Sequence, residues 1–171
     1  LLQSMYRVVI GRDIDYSKLA DSYKAAFVRS IQEGVALGQY DRRMLDFDLP
    51  AMAEVLVPAR DLDFKYLGLQ TLEKNYFSRN YKDRTLLETP QIFWMRVAMG
   101  TALAEKSKED RDRYAKEFYE VMSAMYYTPS SPTLYHAGLA WPPLSSCFLP
   151  TVPGAPPAPF AASKATPQPH N

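Results

Sequence analysis

Apolar side chains recur at helical spacing over most of the chain. Between positions 17 and 38 they lie four residues apart, which predicts one buried stripe along a helix. Gly38 follows the stripe and suits the C-terminal cap of that helix, because glycine adopts positive φ without a steric cost. A helical turn is predicted next, at 40–43. The stripe consists of Leu19, Tyr23, Phe27, Ile31 and Val35.

Two further helices are predicted between the first stripe and position 100. One begins after Asp61, and the other begins at Thr89 and Pro90, a hydroxyl N-cap followed by proline at the first helical position. The buried face of the earlier helix consists of Tyr66, Leu69, Leu72 and Tyr76, with Phe77 at its edge. Helical spacing in the later one continues through Ile92, Phe93, Arg96, Val97 and Gly100.

A fourth predicted helix begins at a capping sequence and ends before a proline. Ser107 lies three residues before Asp110, an arrangement that resembles a capping box, although Glu or Gln is the usual partner. We expect the helix to end at Thr128, because the residue before Pro129 is pushed out of helical geometry. Residues 17–128 are therefore predicted to be mainly helical. The apolar positions of this last helix are Tyr114, Phe118, Val121, Met122 and Met125.

The last quarter of the chain has a different composition. It holds eleven of the fourteen prolines and one charged residue, Lys164. From Gly154 onward the sequence is low in complexity and has no apolar periodicity, which predicts disorder. We divide the chain into a helical domain at 1–128, a loop and strand at 129–153 and a low-complexity tail at 154–171.

Composition also bears on partners and setting. A net charge of +1 provides no global attraction to nucleic acid or to a membrane surface. No run of eighteen apolar residues occurs, and the first residues lack the regions of a signal peptide. The single cysteine, Cys147, cannot form an internal disulfide, which favours a reducing, cytoplasmic setting. We expect neither nucleic acid nor a membrane as a partner.

The charged clusters do not form a recognisable ligand site. Three pairs of carboxylates two residues apart lack an EF-hand glycine, so we interpret them as solvated caps and loop residues and expect no metal. His136 has no second histidine nearby and is interpreted as a loop residue. The charges at 42–43 and 106–113 are interpreted as solvated helix faces. The paired carboxylates are Asp13 and Asp15, Asp46 and Asp48, and Asp61 and Asp63.

Two short motifs lie close to Cys147. Residues 131–138 read Ser-Pro-Thr-Leu-Tyr-His-Ala-Gly, which predicts a turn at 131–134, and residues 144–149 read Leu-Ser-Ser-Cys-Phe-Leu. A cysteine flanked by hydroxyl residues on a strand end is a rigidly placed thiol, and the serines can hydrogen-bond phosphate or ribose oxygens. For the second motif alone, a small buried cysteine would be the better interpretation. Because the upstream motif is also present, we do not interpret Cys147 in that way.

Together the two motifs resemble the large subunit of ribonucleotide reductase. Tracts at 64–76 and 88–100 are similar to the helical domain of that family, and the resemblance extends over roughly 23–153. In the family, the first motif is a substrate loop and the second is the first strand of the catalytic barrel. The resemblance therefore implies a mainly α chain, in which a helical N-terminal domain leads into the first strand of an incomplete α/β barrel.

The resemblance also implies roles for three residues. Cys147 is expected to be the first of two redox-active cysteines, and Ser131 and Ser146 are expected to contact the substrate. A pair of thiols that closes to a disulfide can supply the two electrons that reduce a ribose 2′-hydroxyl. The partner cysteine, the thiyl-radical cysteine and the glutamate and asparagine near the sugar belong to later barrel strands, outside these 171 residues.

Partners are implied in the same way. The substrate is expected to be a ribonucleoside diphosphate, reduced to a deoxyribonucleotide for DNA synthesis, and the reductant thioredoxin or glutaredoxin. A metal-containing small subunit generates the radical, full-length large subunits form homodimers, and ATP and deoxynucleotides act as effectors. The chain itself is expected to be an inactive fragment that binds no cofactor. Two alternatives stay open: an adenosylcobalamin-dependent reductase that shares both motifs, and a non-catalytic helical interaction module.

Overall fold

A computed structural model describes residues 1–147, and this part of the chain is mainly helical, as the sequence predicts. Short 3₁₀ turns connect some of the helices, and the β pairing within the described residues is limited to two isolated bridges. The helices at Leu2–Val9 and Leu49–Glu54 were not predicted. The seven α-helices are α1 (Leu2–Val9), α2 (Leu19–Ala36), α3 (Leu49–Glu54), α4 (Tyr66–Asn75), α5 (Pro90–Ala102), α6 (Lys108–Ser123) and α7 (Ser131–His136).

Helix α5 forms the centre of the fold. Every residue from Pro90 to Gly100 is buried, as expected of a helix that is covered by neighbours on all sides. Helix α6 packs along α5 more extensively than any other pair of helices in the described part of the chain, and α2 and α7 also contact α5. The other helices are therefore arranged around α5.

Helix α2 confirms the predicted stripe. The three central members of the stripe are fully buried, and Leu19 and Val35 at its two ends are half-buried and pack against the core. Gly38 has φ +72°, and its backbone N–H donates to the carbonyl of Val35 at 2.9 Å. The predicted glycine cap is therefore confirmed.

Helix α5 begins at Pro90 as predicted, but its N-terminus is capped by another helix. Thr89 makes no capping hydrogen bond; its hydroxyl donates to the hydroxyl of Tyr23 instead. The Tyr23 hydroxyl accepts the backbone N–H of Gln91 at 3.1 Å. Because a helix N-terminus leaves its first N–H groups without partners, this side chain of α2 completes the start of α5.

The prediction for α4 is only partly right. Leu69 and Phe77 are buried, and Leu72 and Tyr76 are half-buried, but Tyr66 is 62% exposed. The first turn of α4 faces solvent. The prediction missed this, because helical spacing indicates which residues share a face but not how far along the helix the neighbouring elements reach.

Helix α6 has the predicted start and an earlier end. The Ser107 hydroxyl accepts the Asp110 backbone N–H at 3.0 Å, which confirms the cap. The helix ends at Ser123, not at Thr128. Met125 has φ +62°, so the chain leaves helical geometry there, ahead of the proline. Of the predicted apolar positions, Met122 is buried, whereas Val121 and Met125 are exposed.

The structure corrects the interpretation of Asp61 as a solvated residue. Its side chain is 1% exposed, and one carboxylate oxygen accepts the hydroxyls of Tyr6 and Tyr23, each at 2.8 Å. The other oxygen accepts the side-chain amide of Gln91 at 2.9 Å. Gln91 in turn accepts the Tyr119 hydroxyl at 2.7 Å. This network joins α1, α2, α5 and α6 beneath the surface.

Burial raises the pKa of Asp61 to about 6, although the hydrogen bonds from Gln91, Tyr6 and Tyr23 favour its charged form. The donors around Asp61 are neutral, so no cation offsets the loss of hydration. The carboxyl group therefore binds its proton more tightly in the folded chain than in the unfolded chain, where its pKa is near the ordinary 3.8.

We predict a stability that depends on pH through Asp61. The contribution of the raised pKa to the free energy of unfolding is fully present below the ordinary value, and it is lost as pH rises through about 6, by about 3 kcal/mol at most. Urea unfolding at a series of pH values should show this decline for the wild type and not for Asp61→Asn. The matched control, Asp63→Asn, changes an exposed neighbour and should retain the decline. Identical pH profiles for wild type and Asp61→Asn would contradict the prediction.

Candidate functional site

The segment that carries the first motif begins as a helix, so the prediction of a turn at 131–134 is wrong. Residues Ser131–His136 form α7, and the backbone N–H of Leu134 donates to the carbonyl of Ser130 at 3.1 Å. Pro132 fits because a proline in the first helical turn loses no hydrogen bond. After the helix, Gly138 has φ +82° and redirects the chain.

Arg96 binds the end of α7 to α5. Its Nη1 donates to the carbonyl of Ala137 at 2.8 Å and to that of Leu134 at 3.4 Å. Carbonyls at the end of a helix have no intrahelical partners, so a buried guanidinium satisfies them. The position of α7 therefore depends on one side chain of the central helix.

Arg96 is itself paired with Glu88, and both side chains are fully buried. The two contacts are Nε to Oε1 at 2.6 Å and Nη2 to Oε2 at 3.3 Å, a bidentate arrangement. Glu88 also accepts the Ser78 backbone N–H at 2.7 Å and the Tyr40 hydroxyl at 3.2 Å. Burial alone would lower the pKa of Arg96, but the charge and hydrogen bonds of Glu88 raise it, so the guanidinium stays charged.

Backbone contacts hold the residues that follow α7. The Asp41 N–H donates to the carbonyl of Gly138, and the Ala140 N–H donates to the carbonyl of Gln39, both at 3.0 Å. Gly100 of α5 lies so close to the chain at 137–138 that a β-carbon there would overlap its backbone. The segment 131–140 is thus fixed against α5 by an arginine and a glycine contact, and against 39–41 by backbone pairing.

Ser131, one of the predicted substrate contacts, lies exposed at the first position of α7. Its Oγ is 3.1 Å from the hydroxyl of Tyr76 at the end of α4. The ring of Tyr76 stacks on that of Tyr135, with 4.5 Å between centroids and 20° between planes. The sequence assigned Tyr76 only to an apolar helix face, so this contact was missed.

Ser146 and Cys147, the other predicted site residues, lie in an exposed stretch at 141–147. Within residues 1–147 they make no side-chain hydrogen bond, and the structure does not bring them into hydrogen-bond contact with Ser131. Residues 144–147 form no strand pairing in the described part of the chain. Residues 148–149 lie outside the described residues, so the first barrel strand stays a prediction, as does the tail at 154–171.

The remaining candidate residues have structural contacts. His136 is the last residue of α7 and not a loop residue as predicted, and its Nδ1 donates to the carbonyl of Pro132 at 3.0 Å. Asp15 and Asp48 accept backbone N–H groups at the starts of helical turns, which confirms their predicted role as caps. In the described part of the chain, no group of three or more His, Cys, Asp or Glu side chains could hold a metal ion. None of the helices described is long and apolar enough to cross a bilayer.

Sequence reasoning missed the groups that position this segment. The sequence places Arg96 only in a helical spacing, and its one signal is that it is the single charged residue of α5. The sequence indicates Glu88 only through the family resemblance. Neither residue could be paired with α7 from the sequence, because the accepting carbonyls lie 38 and 41 residues beyond Arg96.

The chain is similar to known proteins across this region. A family model described as "Ribonucleotide reductase, all-alpha domain" matches residues 62–142. The ribonucleoside-diphosphate reductase subunit alpha of Chlamydia muridarum is 42% identical over 152 residues, 89% of this chain and 14% of that protein. The large subunit of the same enzyme from Trypanosoma brucei brucei is 40% identical over 102 residues, 58% of this chain and 12% of that protein. The chain therefore spans a small part of the length of these relatives.

We predict that Gly100→Ala displaces the segment that follows α7. Its new methyl group would overlap the backbone at 137–138, so we expect a loss of about 1–3 kcal/mol in the free energy of unfolding. The matched control is Gly68→Ala in α4, where the nearest atom lies at 3.9 Å and where replacing a helical glycine should stabilise by roughly 0.5–1 kcal/mol. Urea unfolding followed by circular dichroism measures both. Stabilisation by both substitutions would show that the close contact is absent.

Proposed function

Because the chain belongs to the family of ribonucleotide reductase large subunits, we propose that it supplies the helical domain and the first substrate-contacting segment of a ribonucleoside-diphosphate reductase. The observation that carries this proposal is the anchoring of the segment 131–140. The buried pair of Glu88 and Arg96 holds α7 from one side, and backbone pairing with 39–41 holds the residues after it.

Such anchoring is what a substrate-contacting segment needs. Groups that bind a reacting molecule must be held to within about 0.5 Å of their working positions by a supporting shell. Ser131 begins a helix whose last carbonyls bind a fully buried arginine. The exposed Ser131 hydroxyl is therefore held in a fixed position, although the helix itself has only six residues.

The proposed reaction replaces the 2′-hydroxyl of a ribonucleotide with hydrogen. One ribonucleotide and two thiols give one deoxyribonucleotide, one disulfide and one water, so the thiols are oxidised as the sugar carbon is reduced. We assign Cys147 as one of the two thiols, and Ser131 and Ser146 as hydrogen-bonding groups for the substrate. The second thiol must come from outside these 171 residues, because Cys147 is their only cysteine.

The proposal includes partners for the complete enzyme. The relatives are named as the alpha or large subunit of ribonucleoside-diphosphate reductases, which supports a diphosphate substrate and an enzyme of more than one kind of subunit. We propose the oxygen-dependent form, with a metal-containing, radical-generating small subunit. Thioredoxin or glutaredoxin would re-reduce the disulfide, large subunits would pair, and ATP and deoxynucleotides would act as effectors. A reducing, cytoplasmic setting suits an enzyme that works through free thiols. No contact in the described residues favours the cobalamin-dependent form or a non-catalytic module.

The proposal can be tested in a chimera, defined as the Chlamydia muridarum alpha subunit in which residues 1–147 of this chain replace the matching segment. With a small subunit and a thioredoxin system, the chimera should reduce cytidine diphosphate. We predict that Cys147→Ser abolishes this turnover, because the electron donor is lost, while binding of cytidine diphosphate survives, because serine is nearly isosteric. Ser145→Ala, which changes an exposed neighbour, is the matched control and should keep activity. Wild-type turnover by Cys147→Ser would make Cys147 a structural cysteine.

We predict smaller effects for the two serines. Ser131→Ala and Ser146→Ala in the chimera should each weaken binding of cytidine diphosphate by about 0.5–1.5 kcal/mol, the typical net value of one hydrogen bond. The controls are the adjacent serines, in Ser130→Ala and Ser145→Ala. Isothermal titration calorimetry measures all four variants. If the adjacent serines matter as much as the proposed ones, the assignment of substrate contacts is wrong.

A further inference from the structure

Tyr76 contacts α7 at two points. Its hydroxyl lies 3.1 Å from Ser131 Oγ, and its ring stacks on the ring of Tyr135. Ser131 and Tyr135 are four residues apart, so they lie one above the other on the same face of the helix. The side chain of Tyr76 therefore spans one turn of α7, with a polar contact at its tip and an aromatic contact along its ring.

The position of Tyr76 is set by the same buried pair that positions α7. Phe77, the next residue, is buried and packs on an aromatic ring of α5, with 5.2 Å between centroids. The backbone N–H of Ser78 donates to the carboxylate of Glu88, whose partner Arg96 binds the carbonyls of α7. Tyr76 and α7 are thus held against the same ion pair, which fixes the distance between them.

We infer that Tyr76 is a positioning residue for Ser131, and that it directs the serine hydroxyl toward the substrate; this inference rests on the proposed function of Ser131. A serine hydroxyl has one proton and two lone pairs, and it rotates to suit its partners. A phenol is a stronger hydrogen-bond donor than an aliphatic hydroxyl, so the Tyr76 hydroxyl is the favoured donor of the two. When Tyr76 donates to Ser131, the serine proton is available to a phosphate or ribose oxygen.

The test uses the chimera and a variant that removes one atom. Tyr76→Phe keeps the ring that stacks on Tyr135 and removes the hydroxyl that holds Ser131. We expect KM for cytidine diphosphate to rise about threefold to tenfold, the equivalent of one hydrogen bond, with kcat and the unfolding temperature unchanged. The equilibrium dissociation constant should rise by the same factor, so the result does not depend on turnover. The matched control is Tyr81→Phe, at an exposed tyrosine that is not hydrogen-bonded to Ser131. It should change neither KM nor the dissociation constant.

A double-mutant cycle separates positioning from a merely structural role. If Tyr76 acts through Ser131, adding Tyr76→Phe to Ser131→Ala should have no further effect. Ser131→Thr restores a hydroxyl and should restore both the affinity and its dependence on Tyr76.

Three results would overturn the inference. The first is wild-type affinity in Tyr76→Phe while Ser131→Ala binds substrate more weakly, which leaves the proposed function intact. The second is additive losses in the double variant, because the two hydroxyls would then act independently. The third is unchanged affinity in Ser131→Ala itself, which also removes the proposed role of that serine.

Discussion

The buried ion pair between Glu88 and Arg96 connects the parts of the chain that build the candidate site. Glu88 accepts the N–H of Ser78 and the hydroxyl of Tyr40, and Arg96 donates to the last carbonyls of α7. Removal of one partner from such a pair typically costs about 3–5 kcal/mol, because a buried charge is left uncompensated. The net contribution of the intact pair to stability is usually much smaller than that cost. Its consequence here is geometric, since the pair gives α4, α5 and α7 one common point of attachment.

The fold contains a second buried carboxylate whose surroundings differ in one respect. Glu88 is paired with the Arg96 guanidinium, whose pKa is raised by that partner, whereas Asp61 faces only neutral donors and has a pKa raised to about 6 by burial. Both carboxylates have hydrogen-bond partners and both join several helices. The difference is that Glu88 connects the core to the candidate site, while Asp61 connects α1, α2, α5 and α6 to one another. Protonation of Asp61 should therefore affect the stability of the helical domain more than the geometry of the site.

The candidate site has a rigid beginning and an exposed continuation. Ser131 stands on a helix that is fixed at its far end by Arg96 and contacted along one face by Tyr76. Ser146 and Cys147 follow in an exposed stretch. A thiol that reduces a sugar needs a second thiol and a shaped cavity around it, and in the proposed enzyme these come from the remainder of the subunit. In that proposal, α7 and the residues that hold it form the fixed part of the cavity.

The sequence by itself determined the local features and the family. The stripe on α2, the proline at the start of α5 and the serine cap of α6 depend on neighbours within one helical turn, and the motifs around Cys147 indicate the family directly. Only the tertiary structure decided the burial of Asp61, the attachment of α7 through Arg96 and the contact between Tyr76 and Ser131. In that contact the two hydroxyls are 55 residues apart in sequence. Helical periodicity reports which residues share a face, but the partner of each face is chosen by packing, and packing is a property of the whole chain.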